Sequence, residues 1–364
     1  MELKELKDHT LDEAQQRLES ILDRLETKEK PSQEETYFMN SILDGVERCF
    51  IGEIRQRQAL VPGLRIEGFG HLAIWGGELS PGCQHCLDHG FAAIQSASDC
   101  NLKCRFCYYG DERPLVRLLG PDKFEVATRP VNLDQLKVIF TKAVKGPAQI
   151  QSIAWVFLEP FTVVEKHEEI MAFVHELGIY QHLYTNGTLC TRDNLKTFAS
   201  AGLDEIRFNL AATNCSDQVI EAMHWARELY PCLCVESPMV PEYFDHFKKK
   251  WREILGTGVS HIHCAEVHLN GNNFTKFHGE PMYQYSRGYI SPLSSRRLTY
   301  DLMDLAVAEG WKNVTIHDCS NEAKFYRGAS NEVFGANSYE AELPGMPMWW
   351  FPEALQSYPL TKKM

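Results

Sequence analysis

Long apolar runs are missing from this chain of 364 residues: nothing in it approaches the roughly 18 to 20 consecutive apolar residues that span a bilayer. Met1 opens onto a charged, helix-like stretch instead of an apolar signal segment. Internal repeats and low-complexity tracts are also lacking. Positive charge is scarce, with 37 Lys and Arg against 49 Asp and Glu and a formal charge of -12. Nucleic-acid binding draws affinity from neutralising phosphates with basic side chains, and this balance opposes it. The densest basic candidates, Lys248-Lys249-Lys250 and Arg296-Arg297, read as solvated helix faces. The expectation is a soluble, cytoplasmic protein with no membrane association and no nucleic-acid partner.

Cysteine, in contrast, is plentiful at 12 residues. In a reducing cytosol, clustered thiols hold metal more often than they form disulfides. Cys100, Cys104 and Cys107 lie in the run Cys-Asn-Leu-Lys-Cys-Arg-Phe-Cys-Tyr-Tyr-Gly. Thiolates at intervals of four and three can fold around one face of an iron-sulfur cube and leave its fourth iron without a protein ligand. Buried structural thiols or a zinc knuckle are the other readings, but zinc sites pair their cysteines as two CxxC-like knuckles, unlike this triplet. The run resembles the CxxxCxxC signature of the radical S-adenosylmethionine (SAM) enzymes, with the aromatic Phe106 just before the last cysteine. That resemblance implies a 4Fe-4S cluster whose open iron chelates SAM, reductive cleavage to a 5'-deoxyadenosyl radical, and an electron donor such as flavodoxin or ferredoxin.

Around the triplet the sequence divides into four parts. Residues 1–63 read as a helical extension, with Leu11, Leu18, Ile21, Leu22 and Leu25 on one helical face, a break at Pro31-Ser32, and a second helix to about Arg57. Residues 64–90 read as a glycine-rich loop region containing Cys83 and Cys86, and residues 331–364 as a tail. Between them, over 91–330, short apolar strands alternate with amphipathic helices, the pattern of βα units on a parallel sheet. Six strands are predicted, Phe91 to Ser98, Ser152 to Leu158, Gln181 to Thr185, Glu205 to Asn209, Cys232 to Ser237 and His261 to Glu266. One helix is expected from Thr162 to Gly178, and another after the N-cap Thr191 to Gly202. The fold class is therefore α/β, and the family resemblance implies a partial (β/α)6 TIM-like barrel.

Parallel barrels carry their chemistry at the C-terminal ends of the strands. Glu159-Pro160 closes the second predicted strand, where the family often carries a GGEP-like turn, although Phe157-Leu158 replaces both glycines here. Tyr184-Thr185-Asn186-Gly187 closes the third and is similar to a family TNG element; Asn-Gly is also a general turn signal. Arg207 is expected at the end of the fourth, its guanidinium in the barrel mouth and able to bind a carboxylate in bidentate fashion, or else paired with a core acid. Tyr108, beside the cluster, is placed to cover it or pack around the adenine. The resemblance thus gives Tyr108, Glu159, Pro160, Asn186, Arg207 and Asn209 as the cofactor-binding set, and leaves the catalytic residue unassigned. Across Leu79 to Arg327 it sharpens towards an archaeal-type group that includes the methanogenesis-marker arginine C-methyltransferase, but without a cobalamin extension.

Cys83 and Cys86 form a separate CxxC. With Cys319, Cys264 or Cys49 they could complete a second iron or zinc site; a structural turn with two free thiols is the alternative. His261 and His263 share one face of a strand by alternation and read as polar core or pocket residues. The function expected is hydrogen abstraction from a small-molecule or peptide substrate. The alternatives are an RNA-modifying enzyme of the same chemistry and a non-enzymatic iron-sulfur or zinc-binding scaffold.

Overall fold

The computed structural model describes residues 33–325, except 89, 111–118, 121, 127, 128, 146–149 and 287, together with residues 16 and 20. Apart from residues 16 and 20, the first predicted helix lies outside the described residues, as does the 331–364 tail. The second helix is α1 (Gln33–Leu60), three residues longer than expected at its C-terminal end. Leu43, Val46, Phe50 and Ile54 recur on one of its faces and are all buried. Phe50 packs on Tyr283 with ring centroids 4.4 Å apart.

The segment read as a loop holds more structure than its glycines suggested. It forms β1 (Arg65–Glu67), β2 (Leu72–Trp75) and the short helix α2 (Pro81–Leu87). Ser80 caps α2 by accepting the Cys83 amide, and Pro81 occupies its first turn, where a missing N–H costs nothing. Both CxxC cysteines therefore lie on a helix.

The chain then continues through β3 (Phe91–Gln95), β4 (Lys123–Val126), β5 (Arg129–Asn132), α3 (Leu133–Lys145), β6 (Ser152–Val156), α4 (Glu168–Glu176) and β7 (Tyr180–Thr185). After these come α5 (Arg192–Ser200), β8 (Glu205–Phe208), α6 (Asp217–Arg227), β9 (Cys232–Pro238), α7 (Pro241–Gly256) and β10 (His261–Ala265). The last described elements are β11 (Met282–Tyr285), β12 (Tyr289–Pro292), α8 (Leu293–Ala308) and β13 (Thr315–Cys319). An open eleven-stranded sheet runs β1-β2-β13-β10-β9-β8-β7-β6-β3-β4-β5. Its stretch from β13 to β3 is parallel throughout, and the edge pairs are antiparallel. This is the α/β class expected, with a sheet that does not close.

All six predicted strands are present, with ends shifted by a few residues. The seventh parallel strand, β13, was not foreseen, because His317 and Asp318 interrupt its apolar pattern. The helix expected from Thr162 to Gly178 is broken: a 3-10 segment, Pro160–Lys166, kinks at Val163 before α4 begins. Thr191 caps α5 as predicted, and Gly178 and Gly202 adopt φ of +71° and +92° after α4 and α5. The Arg296-Arg297 reading needs correction. Arg296 is fully buried and paired with Asp318 and Glu322 at 2.9 and 2.7 Å, so it belongs to the core.

Strand alternation gives the sheet two unlike faces. Trp155, Leu183, Ile206, Phe208, Val235, Ile262 and Ile316 pack into the apolar core. The opposite set carries His182, Tyr184, Glu205, Arg207, Cys234, Glu236, His263 and His317. Parallel strands buried on both faces are ordinarily apolar throughout, so a polar inner face marks where chemistry is housed.

Candidate active site

The cysteine triplet sits in the loop that leaves β3 at its C-terminal end. Short backbone turns shape it, with the Cys107 amide donating to the Cys104 carbonyl at 3.1 Å and the Gly110 amide to the Cys107 carbonyl at 3.0 Å. All three thiols are half-buried and free of disulfides. Burial pushes the Cys104 thiol up to about 12, and Cys107 and Cys100 push the same way by mutual repulsion, against the pull of Lys276. Cys100 is raised too, chiefly by burial. Thiols that disfavour one another's ionisation gain most when a cation replaces their protons. The Leu102 amide and the Asn186 carboxamide both point N–H groups at Cys100 Sγ, at 3.5 and 3.7 Å. N–H donors to sulfur are a feature of iron-sulfur ligation, and in this donor set the three residues fit such a cluster.

Neighbouring strand ends hold the loop. After β6, Glu159 is wholly buried, and its carboxylate accepts from the Phe161 amide (3.1 Å), the Thr185 hydroxyl (2.9 Å) and the Asn186 amide (2.7 Å). Burial raises its carboxyl to about 7 while those donors draw it down. With its oxygens engaged inside the protein, Glu159 positions the turn after β7. Pro160, also buried, starts the 3-10 segment. Asn186 then ties the two loops together, donating to Asn101 Oδ1 at 2.9 Å and accepting from Thr188. Asn209 uses its side chain to cap the turn after β8 by accepting the Ala212 amide. Phe157 and Leu158, at the two family glycine positions, have φ of +72° and +59°.

The loop after β10 contributes support that sequence reasoning missed. Asn270 and Asn272 both donate to the Tyr108 carbonyl, at 2.9 and 3.2 Å, and Asn273 donates to the Phe106 carbonyl at 3.2 Å. The signal was present in the run Leu-Asn-Gly-Asn-Asn. Tyr108 itself stacks on His268, with centroids 5.5 Å apart and planes at 27°.

Arg207 departs from expectation. It is the third residue of β8, 3% exposed, and its guanidinium is closed within the inner face. It bonds Glu205 at 2.5 Å, Glu236 at 2.8 Å, the Tyr184 hydroxyl at 2.7 Å and Ser80 at 3.4 Å. Against a burial that would raise it, Arg207 holds the Glu205 carboxyl well below the ordinary range. The core-acid alternative describes this geometry. Between α2 and the inner face lies a cavity of about 190 Å³ lined by Cys83, Cys86, Phe157, Tyr184, Arg207 and Lys324, among others. Of the partners considered for Cys83 and Cys86, Cys319 lines the same cavity, whereas Cys264 joins the apolar core and Cys49 is exposed on α1. Cys83 instead lies beside His263, 3.6 Å from Nδ1.

No helix among the described residues is long and apolar enough to cross a membrane. No curated protein matches the chain by sequence. Among solved structures, SuiB of Streptococcus suis bound to S-adenosylmethionine is 14% identical over 60% of this chain and 48% of its own, with a TM-score of 0.44. SuiB bound to its precursor peptide SuiA is 12% identical over 81% and 56%, with a TM-score of 0.47. Methylornithine synthase (PylB) is 11% identical over 84% and 76%, with a TM-score of 0.41. The chain thus spans about half the length of the SuiB structures. The model of the Radical SAM superfamily matches residues 94–249, the stretch from β3 into α7. The chain therefore carries a Radical SAM superfamily domain over these residues.

Proposed function

We propose that Cys100, Cys104 and Cys107 hold the 4Fe-4S cluster, that SAM binds against its open iron, and that the enzyme abstracts hydrogen from a small-molecule or peptide substrate admitted to the cavity between α2 and the inner face. When bound, the reduced cluster supplies the electron that splits SAM into methionine and a 5'-deoxyadenosyl radical. The carrying observation is the placement of three thiols, none in a disulfide, in one strand-end loop pinned to neighbouring strand ends by Asn186 and by Asn270, Asn272 and Asn273. Asn186 orients Cys100, and Glu159 fixes Asn186 through its backbone amide. The cavity lining mixes apolar side chains with His182, Tyr184, Glu236, His317 and Lys324, which suits a substrate that carries polar groups on an apolar body. Within this reading the four-part division at 63, 90 and 330 stands as proposed. So does the likeness to the archaeal-type group, without its methyl transfer.

The test is anaerobic reconstitution followed by electron paramagnetic resonance with and without SAM. The expected result is a reduced-cluster signal that changes when SAM is added, with 5'-deoxyadenosine and methionine formed after dithionite reduction, and loss of all three in Cys104→Ala. A SAM-sensitive signal surviving in a variant without the three cysteines would overturn the ligand assignment. An intact cluster that binds SAM and never cleaves it would favour the scaffold.

A further inference from the structure

Cys83 on α2, His263 on β10 and His317 on β13 each bring one ligand atom within 4.8 Å of the others. The fold assembles them from distant parts of the chain: β10 and β13 pair in register at His263 and His317, whose rings lie 4.6 Å apart, and α2 sets Cys83 against them. Cys83 Sγ is 3.6 Å from His263 Nδ1 and 3.9 Å from Nε2. A metal with usual zinc bonds, about 2.3 Å to sulfur and 2.0 to 2.1 Å to nitrogen, separates its donors by about 3.6 Å at a tetrahedral angle. The spacing needs little adjustment to close on an ion.

Three further observations point the same way. His263 Nδ1 is 3.1 Å from Glu236 Oε2, which matches the carboxylate–histidine support of metal ligands and assigns the ligand role to Nε2, 3.9 Å from Cys83 Sγ. His317 is 3% exposed, and its Nδ1 has no hydrogen-bond partner among the described residues, although buried polar nitrogens ordinarily find one. The charged groups facing Cys83 are Arg207, Glu236 and Glu205, one cation against two anions. Two carboxylates against one guanidinium leave a negative balance that a divalent ion would offset.

We propose that Cys83, His263 and His317 form a mononuclear zinc-type site, distinct from the cysteine triplet, with its fourth coordination position open to the cavity. One thiolate and two imidazoles make a borderline-soft set suited to zinc, and three protein ligands with an open position are the pattern of zinc sites that bind water or substrate. The cavity that Cys83 and His317 line supplies the space. An anionic or neutral heteroatom of the substrate would complete the tetrahedron. Cys86, three residues along α2, is no member of the cluster, so the CxxC is not the binding unit.

Zinc and iron counted separately on the anaerobically reconstituted holoenzyme test this, together with zinc-edge X-ray absorption. After equilibration with zinc and desalting, about one zinc per chain should remain beside the cluster iron, with one sulfur and two imidazoles in its first shell. Cys83→Ser and His317→Gln should each lower zinc retention at least tenfold, while iron content and the SAM-sensitive signal persist. Cys86→Ser should retain zinc. Thermal unfolding of each variant identifies any that does not fold, and the absorption spectrum of the unmodified chain decides independently of them. Absence of retained zinc, a shell of several sulfurs, or zinc undiminished in folded Cys83→Ser would overturn the site. A failure of SAM cleavage alone would leave the zinc result standing.

Discussion

Gly110 closes the cysteine loop, and replacing it with alanine tests how the loop is held. Its φ is +67°, and an added Cβ would lie 2.9 Å from Asn272 Cβ and 3.0 Å from the Asn272 carbonyl oxygen. The left-handed conformation costs a residue with a Cβ about 1 kcal/mol. The overlap falls on atoms at or next to the backbone, so the cysteine loop has to withdraw from residues 270–273. That withdrawal strains the bonds from Asn270, Asn272 and Asn273 to the Tyr108 and Phe106 carbonyls, each worth about 0.5 to 1.5 kcal/mol net. Losing one or two of them along with the conformational cost gives about 2 to 4 kcal/mol of local destabilisation. Gly178 is the matched control, since its φ is +71° and nothing lies within 4 Å of its would-be Cβ. Gly178→Ala should lower the unfolding temperature slightly and leave the cluster alone. Gly110→Ala should release iron to an anaerobic chelator about thirtyfold faster or more, and lose 5'-deoxyadenosine formation in proportion. Equal iron release from the two variants would refute the claim that the asparagine loop holds the cysteines.

Arg207→Gln should destabilise the fold by about 3 to 5 kcal/mol, because it leaves Glu205 and Glu236 without their cation in a buried site; denaturant unfolding measures this, and unchanged unfolding with a separate loss of SAM affinity would return Arg207 to the cofactor set. His167 is fully buried, and burial holds its imidazole down at about 4, below the ordinary 6.5. The unfolded chain therefore takes up the proton first. Its stabilisation is complete above pH 6.5 and is lost as pH falls towards 4, by up to about 3 kcal/mol. His167→Gln should flatten the change in denaturation midpoint between pH 7 and 4.5, and an unaltered slope would count against it.

What was legible in the sequence was whatever depends on neighbours along the chain. Six strands could be read because apolar runs alternate with amphipathic helices, and the cysteine triplet because its three positions lie within eight residues of one another. β13 was hidden because His317 and Asp318 serve the inner face and the Arg296 ion pair, so function and core charge overwrote its apolar pattern. α2 was hidden by its seven residues and its Pro-Gly start, although Ser80-Pro81 was a readable cap. Arg207 shows the deeper limit. Glu205 lies two residues before it on the same face, but Glu236 reaches it from β9 only through strand packing, which no local pattern encodes. Cys83, His263 and His317 share that limit.

Phe157 and Leu158 carry the same lesson in the opposite direction. Their identities departed from the glycine pair of the family turn and cast doubt on its geometry, yet both residues adopt positive φ. Such backbone costs bulky residues about 1 to 2 kcal/mol each and persists only where its surroundings over-determine it. Here the surroundings are specific: the Glu159 amide reaches the Asp99 carbonyl at 3.3 Å, and the Glu159 carboxylate takes donors from Phe161, Thr185 and Asn186. The strained turn is thus anchored by the residue that immediately follows it. Side chains at the two glycine positions gain something in return, since Phe157 lines the cavity and meets the Tyr109 ring edge-on at 6.1 Å. Strain retained beside a cavity, where glycine would relieve it, is the mark of a wall whose shape the site uses.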